Sequence, residues 1–178
     1  MVKLFSEWDS EQKGKLSPTE LQHMMKFVFP PSVNDMFLTN LQHQQYLTED
    51  LRNLTQRYRV EDEIDFDAFV AITKQLESSL REHHLRAAFA FFDANADGFI
   101  DKEELYNGLA TLEFPHNSAK DGHLKHSKLV LLTDRLLELG DPVQHERVAY
   151  ANFGKVHDEI RAIQIKKQTK VDSMDHTV

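Results

Sequence analysis

Residues 93–104 read Asp93-Ala-Asn-Ala-Asp-Gly-Phe-Ile-Asp-Lys-Glu-Glu104. Oxygen-bearing side chains stand at alternate positions, Asp93, Asn95 and Asp97, so three short groups converge on one point. Gly98 follows where the chain must turn sharply, and glycine alone enters positive φ without steric cost. Phe99 offers its backbone carbonyl, which leaves its side-chain type free. Asp101 reaches the same point directly or through a water. Glu104 is one methylene longer and lies on the first turn of the helix that follows, so it can reach back with both oxygens. The run matches D-x-[DN]-x-[DN]-G-x5-E over its whole length. The chemistry served is that of a hard cation, Ca2+, which takes about six to eight oxygens at ~2.3–2.6 Å. Ile100 points to the core and leaves its backbone free to pair with a neighbouring loop.

Working outward, the same frame recurs. Asp9-Ser-Glu-Gln-Lys-Gly-Lys-Leu-Ser-Pro-Thr-Glu20 aligns with residues 93–104 at an offset of 84, Asp on Asp, Gly14 on Gly98 and Glu on Glu. The repeat is finer still. Leu16, Ile64, Ile100 and Val148 each stand just before a helix-like run; 16 to 64 and 100 to 148 are both 48 residues apart, and 16 to 100 and 64 to 148 are both 84. Phe29-Pro30 and Phe114-Pro115 follow the first segment of each half. The chain therefore reads as two duplicated pairs of units.

The period around these segments is helical. Leu85, Ala88, Phe89 and Phe92 follow the i, i+3, i+4, i+7 pattern before Asp93, and Leu105, Leu109 and Leu112 continue it after Gly98. Asp101 is placed to cap the exit helix, with Glu103 and Glu104 in its first turn favoured by the helix dipole. Leu4, Phe5 and Trp8 precede the first loop, with Leu21, Met24, Met25 and Val28 after it. Leu129, Leu132, Leu136 and Leu139 precede Gly140, and Phe153, Val156, Ile160 and Ile163 close the last unit. Residues 66–92 hold no Pro or Gly, so a helix is expected to join the halves, and strand is limited to short bridges.

These motifs resemble the EF-hand superfamily of calmodulin, troponin C and the myosin light chains, as four hands of which only the third keeps the full ligand pattern. The resemblance implies an all-α fold of two EF-hand pairs, each a four-helix lobe, with short antiparallel β bridges between paired loops, Leu16 to Ile64 and Ile100 to Val148. The expected limits are 1–78 for the N-terminal pair, 79–165 for the C-terminal pair and 166–178 for a polar, frayed tail. It implies one Ca2+ site, with Mg2+ as the alternative occupant at rest, held by Asp93, Asn95, Asp97, Phe99, Asp101 and Glu104.

The other loops depart from the pattern. In the first, Lys13 stands where a third oxygen ligand belongs, and an ammonium supplies no lone pair. Register from Ile64 puts Arg57, Arg59 and Glu61 at the first three ligand places of the second loop and Ala68 at the last. Register from Val148 puts Asp141, Val143, His145 and Asn152 at those places in the fourth. These loops are expected to serve as structural partners.

Composition narrows the rest. The 178 residues carry 21 Lys+Arg against 29 Asp+Glu, a net charge of −8, which repels phosphate backbones and disfavours nucleic acid. With no Cys, disulfides, thiolate metal sites and cysteine nucleophiles are excluded. The N-terminus shows no signal-peptide pattern, residue 2 is Val rather than a myristoylated Gly, and no apolar run is long enough for stable membrane insertion. A cytoplasmic location is expected, with cytoskeletal association as the variant. No phosphate-binding glycine loop and no nucleophile elbow is present, so a non-catalytic protein is expected. His123-x-x-His126, with His116 nearby, reads as polar linker rather than zinc site, and His83-His84 as surface residues. Glu61-Asp62-Glu63-Ile64-Asp65 reads as a solvated loop, and Lys166, Lys167 and Lys170 are weak evidence for lipid contact.

The resemblance further implies a calcium-responsive regulatory or adaptor subunit that binds a helical segment of a partner. In sensor hands the last-position Glu draws the exit helix toward the ion and opens an apolar groove. Phe89, Phe92, Leu105, Leu109 and Leu112 are candidates for the lobe interior or that groove. Charges of −5 over residues 1–80 and −3 over 81–178 favour a basic amphipathic helix as partner. The five Met residues all lie outside the third and fourth hands, which favours a narrow partner range. The alternatives are a structural light-chain-like or cytoskeletal subunit with a permanently filled site, and a soluble calcium buffer.

Overall fold

The structure is a computed structural model that describes residues 1–31, 37–59, 62–112 and 122–175. Two compact units divide it, Met1–His84 and Leu85–Val178. Helices α1 (Val2–Trp8), α2 (Pro18–Val28), α3 (Asn40–Tyr58) and α4 (Phe66–Phe92) are followed by α5 (Lys102–Thr111), α6 (Gly122–Gly140) and α7 (Tyr150–Asp175). Among the described residues, four short strands, β1 (Lys15–Leu16), β2 (Ile64–Asp65), β3 (Phe99–Asp101) and β4 (Arg147–Ala149), interrupt them. The unit boundary falls within α4, which runs unbroken through the segment free of Pro and Gly. Among the described residues, no helix is long and apolar enough to cross a membrane.

In the first unit β1 pairs antiparallel with β2, Leu16 opposite Ile64. In the second β3 pairs antiparallel with β4, Ile100 opposite Val148. Both registers are those expected from the 48-residue spacing. All four residues are fully buried, so each bridge fixes two loops while placing one aliphatic pair at the head of a core, each side chain contributing about 1.5–3 kcal/mol on burial.

The first core gathers Phe5 from α1, Leu21, Met24 and Met25 from α2, Leu47 and Leu51 from α3, and Phe69, Ile72 and Leu76 from α4. Phe5 meets Phe66 edge to face with centroids 5.4 Å apart. Trp8 packs half-buried against this core. In the second unit Phe153 of α7 takes Phe89 and Phe92 of α4 at 5.3 and 6.1 Å. Phe89, Phe92, Leu105, Leu109 and Leu112 are all buried, so they belong to the interior in this structure.

Local chemistry sets the helix limits. Ser17 and Glu20 form a capping box on α2, with Pro18 just inside the start, and Thr39 and Gln42 form one on α3. The Asp65 carboxylate accepts the Ala68 N–H at 2.8 Å and caps α4. Phe29 caps the end of α2 and Pro30 follows, where a helix cannot continue.

Several expectations are corrected. The tail expected to fray from residue 166 continues α7 to Asp175, since after Gly154 the chain holds neither Gly nor Pro to stop the helix. His123 and His126 lie in α6 rather than in a linker, and the His126 Nδ1 stands 2.8 Å from the Tyr106 hydroxyl. His83 and His84 are half-buried rather than exposed. His83 stacks on Tyr46 at 3.9 Å and meets the Asp50 carboxylate at 3.1 Å. His84 meets His43, itself buried, at 3.3 Å. On α6 the inward face is Leu129, Thr133, Leu136 and Leu137, and Leu139 turns outward. The expectations for Glu61, Phe114-Pro115 and His116 lie outside the described residues.

Candidate metal centre

The third loop is positioned from both sides. Phe92, at the end of α4, is 1% exposed and precedes Asp93 directly. Leu105, at the start of α5, is fully buried and follows Glu104 directly. Gly108 lets the two helices close, because a Cβ there would stand 2.3 Å from Cδ1 of Phe92. The loop between enters positive φ at Ala96 (56°) and Gly98 (86°), which bends the chain so that alternate side chains face one another.

Within the loop, Asp93 accepts two backbone N–H groups, Asp97 on Oδ1 at 3.0 Å and Gly98 on Oδ2 at 3.1 Å. The Asp97 N–H is shared with Asn95 Oδ1 at 2.8 Å, and Asp97 Oδ1 accepts the Phe99 N–H at 2.9 Å. Glu104 spans the loop, with Oε1 accepting the Asn95 N–H at 3.2 Å and Oε2 the Asp101 N–H at 3.0 Å. Asp101 returns the bond by accepting the Glu104 N–H at 2.8 Å, which makes the pair the capping box of α5. One hydrogen-bonded cluster thus joins Asp93, Asn95, Asp97, Asp101 and Glu104. Phe99 lies in β3, which fixes its carbonyl by the ladder rather than by its side chain.

Among the described residues, no three carboxylate or imidazole groups already stand at the mutual spacing of a metal cage. The carboxylates instead accept the loop's own N–H groups. The donor types nevertheless suit a hard cation: four carboxylates, one amide oxygen and a backbone carbonyl, with no sulfur or imidazole. Asn95, Asp97 and Asp101 are exposed and Asp93 and Glu104 half-buried, so an ion can reach them from water.

The first loop repeats this backbone frame 84 residues earlier. Asp9 accepts the Lys13 N–H at 3.0 Å and the Gly14 N–H at 2.7 Å, and Gln12 and Gly14 enter positive φ. Its oxygens are otherwise committed. The Lys13 ammonium pairs with Glu11. The Ser10 hydroxyl donates to one oxygen of Glu20, while Ser17 N–H and hydroxyl each reach the other at 2.8 Å. The Ser10 hydroxyl first, and then Ser17, hold the Glu20 carboxyl down to about 2. In the second loop Arg59 pairs with Asp62 at 2.9 Å. In the fourth, Asp141 accepts the N–H groups of Gln144 and Glu146, each at 3.2 Å, and these bonds lower its pKa; Val143 faces water.

The β bridge adds one residue that the sequence reading passed over. Arg147 of β4 stands opposite Asp101, and its guanidinium lies 4.2 Å over the Phe99 ring. Its place one residue before Val148 was the available signal, since the offset of 48 sets it across from the ligand loop.

Comparison with known proteins finds similarity over the same segment. Residues 85–109, which include the whole loop and both flanking helix ends, match the family model described as EF hand. Calcium-dependent protein kinase 9 of Oryza sativa subsp. japonica is 33% identical over 90 residues, 51% of this chain and 14% of the relative. Calcium-dependent protein kinase 32 of Arabidopsis thaliana is 45% identical over 47 residues, 26% of this chain and 9% of the relative. Calmodulin-like protein 2 of Arabidopsis thaliana is 29% identical over 113 residues, 63% of this chain and 66% of the relative. The chain thus spans less than a fifth of the length of these two kinases. Together the matches support an EF hand over residues 85–109.

Proposed function

We propose that residues 93–104 bind a single Ca2+ ion and that the chain is a non-catalytic, calcium-responsive subunit built from four hands, three of them structural. The observation that carries this reading is the reach of Glu104 across the loop to the Asn95 N–H at 3.2 Å. It ties the first turn of α5 to the opening half of the loop, and from this frame the side chains of Asp93, Asn95, Asp97, Asp101 and Glu104 and the Phe99 carbonyl would turn toward one ion. Ca2+, when bound, would supply a double positive charge that gathers these oxygens. The chain's own part is to present the donors, and to hold α4 and α5 through Phe92, Gly108 and Leu105 so that a change at Glu104 is felt in the core.

The partner we propose is a basic amphipathic helix, favoured by the net charge of −8. Phe89, Phe92, Leu105, Leu109 and Leu112 would meet it only after rearrangement of the second unit, because all five are buried. The first unit, with its loop oxygens engaged by Lys13, Ser10 and Ser17, would dock without calcium.

Calorimetric calcium titration of the full chain tests the site. About one ion per chain, without positive cooperativity, is expected. Glu104→Gln leaves one acceptor oxygen where two N–H groups now bond, and should weaken binding by about tenfold or more. Unchanged affinity, or two cooperative ions, refutes the assignment. Affinity capture from native extract with calcium and with chelator tests the role. A calcium-dependent partner supports the sensor reading, an unchanged partner a structural subunit, and no partner a buffer.

A further inference from the structure

We propose that the cleft between α2 and α3 in the first unit binds a phosphoryl group. The cleft is a cavity of about 350 Å3. Its wall on α3 carries Arg52, Thr55, Gln56 and Arg59, which recur along one face of the helix and its cap. Gln22 faces them from α2.

Charge sets this cleft apart. Residues 1–80 carry −5, yet among the described residues two guanidinium groups and no carboxylate line the cavity. Arg59 spends one nitrogen on Asp62 at 2.9 Å, and that carboxylate is 80% exposed and outside the lining. The Arg52, Gln22 and Gln56 side chains make no hydrogen bond or ion pair among the described residues. A guanidinium fork and two amides, each rich in N–H donors, therefore line one cavity and meet no acceptor among the described residues.

The shape of this demand is that of a phosphoryl group, which brings about −1.5 to −2 of charge and three acceptor oxygens. A guanidinium binds two of those oxygens at once. A second guanidinium, the amides and the Thr55 hydroxyl remain for the rest. A free phosphate and a phosphorylated side chain both present this group; the recognising chemistry is the same.

The test titrates the calcium-free full chain, in chelator, with inorganic phosphate and with O-phosphoserine, following side-chain N–H resonances by NMR at constant ionic strength. Saturable shifts of the Arg52, Gln22 and Gln56 signals are expected, absent with acetate. Arg52→Gln should weaken binding by about tenfold or more, the worth of a charge-assisted hydrogen bond. Arg52→Lys keeps the charge without the fork and should fall between. Arg57→Gln, on α3 but outside the cavity, should leave affinity unchanged. Tighter binding of O-phosphoserine identifies a phosphorylated side chain as the source, and tighter inorganic phosphate a free anion; either supports the site. Absence of saturation, equal response to acetate, or equal loss with Arg57→Gln overturns it.

Discussion

Gly108→Ala is the most direct probe of how the helices hold the metal loop. A Cβ at residue 108 would stand 2.3 and 2.4 Å from Cδ1 and Cε1 of Phe92. Carbon atoms pack best at about 3.5–4.0 Å, so the ring or α5 must move by more than an ångström. The ring has little room to yield, being 1% exposed with Phe91 at 5.1 Å and Phe153 at 6.1 Å. Overpacking of this kind costs about 1–3 kcal/mol. Alanine returns about 0.5–1 kcal/mol through its better helix propensity. The net expectation is a loss of about 0–2.5 kcal/mol, centred near 1 kcal/mol, read by urea unfolding of the full chain. The same displacement should weaken calcium binding, because Phe92 adjoins Asp93 and Gly108 lies one turn beyond Glu104. Phe92→Leu in the Gly108→Ala background should recover part of the stability, since the smaller side chain removes the clash. A Gly108→Ala chain more stable than the parent, with calcium affinity unchanged, would refute the close approach and the coupling built on it.

Ile100→Ala should cost about 2–5 kcal/mol by leaving a cavity behind the β3–β4 bridge, measured by denaturant unfolding; a loss under about 1 kcal/mol would contradict the burial. Glu20, held down to about 2 from its ordinary 4.5, adds stability that is full above pH 4.5 and fades as pH falls toward 2. Glu20→Gln should therefore flatten that acid limb in pH-dependent unfolding, and an identical limb would show the Ser10 and Ser17 bonds to be without effect. Lys13→Asn removes an ammonium and supplies an oxygen at the third ligand place, so calcium titration should reveal a second, weaker ion; unchanged stoichiometry at saturating calcium would show that more than Lys13 closes the first loop.

Much of this molecule was legible because its signals are local or periodic. The capping box of Asp101 and Glu104 follows from four consecutive residues. The pairings Leu16 to Ile64 and Ile100 to Val148 follow from a repeat, since duplicated units reuse one bridge. The donor types of residues 93–104 are a property of their side chains, and the matched family segment covers them. Polar residues on helices were harder to place. His83 and His84 follow the polarity rule for a surface, yet Tyr46, Asp50 and His43 of α3 lie against them. Leu139 follows the apolar period of α6, but Leu137 takes the inward place.

By itself the sequence determined the four bridge residues, the all-helical frame and the set of oxygens in one loop, because these depend on neighbours a few residues away or on an exact repeat. Only the tertiary structure decided that Gly108 must lack a side chain, that Arg147 covers Phe99, and that Arg52 and Arg59 share a cleft with Gln22. Each of those depends on which helix or strand approaches which face, and at what distance, a relation between segments far apart in the chain that no local period encodes.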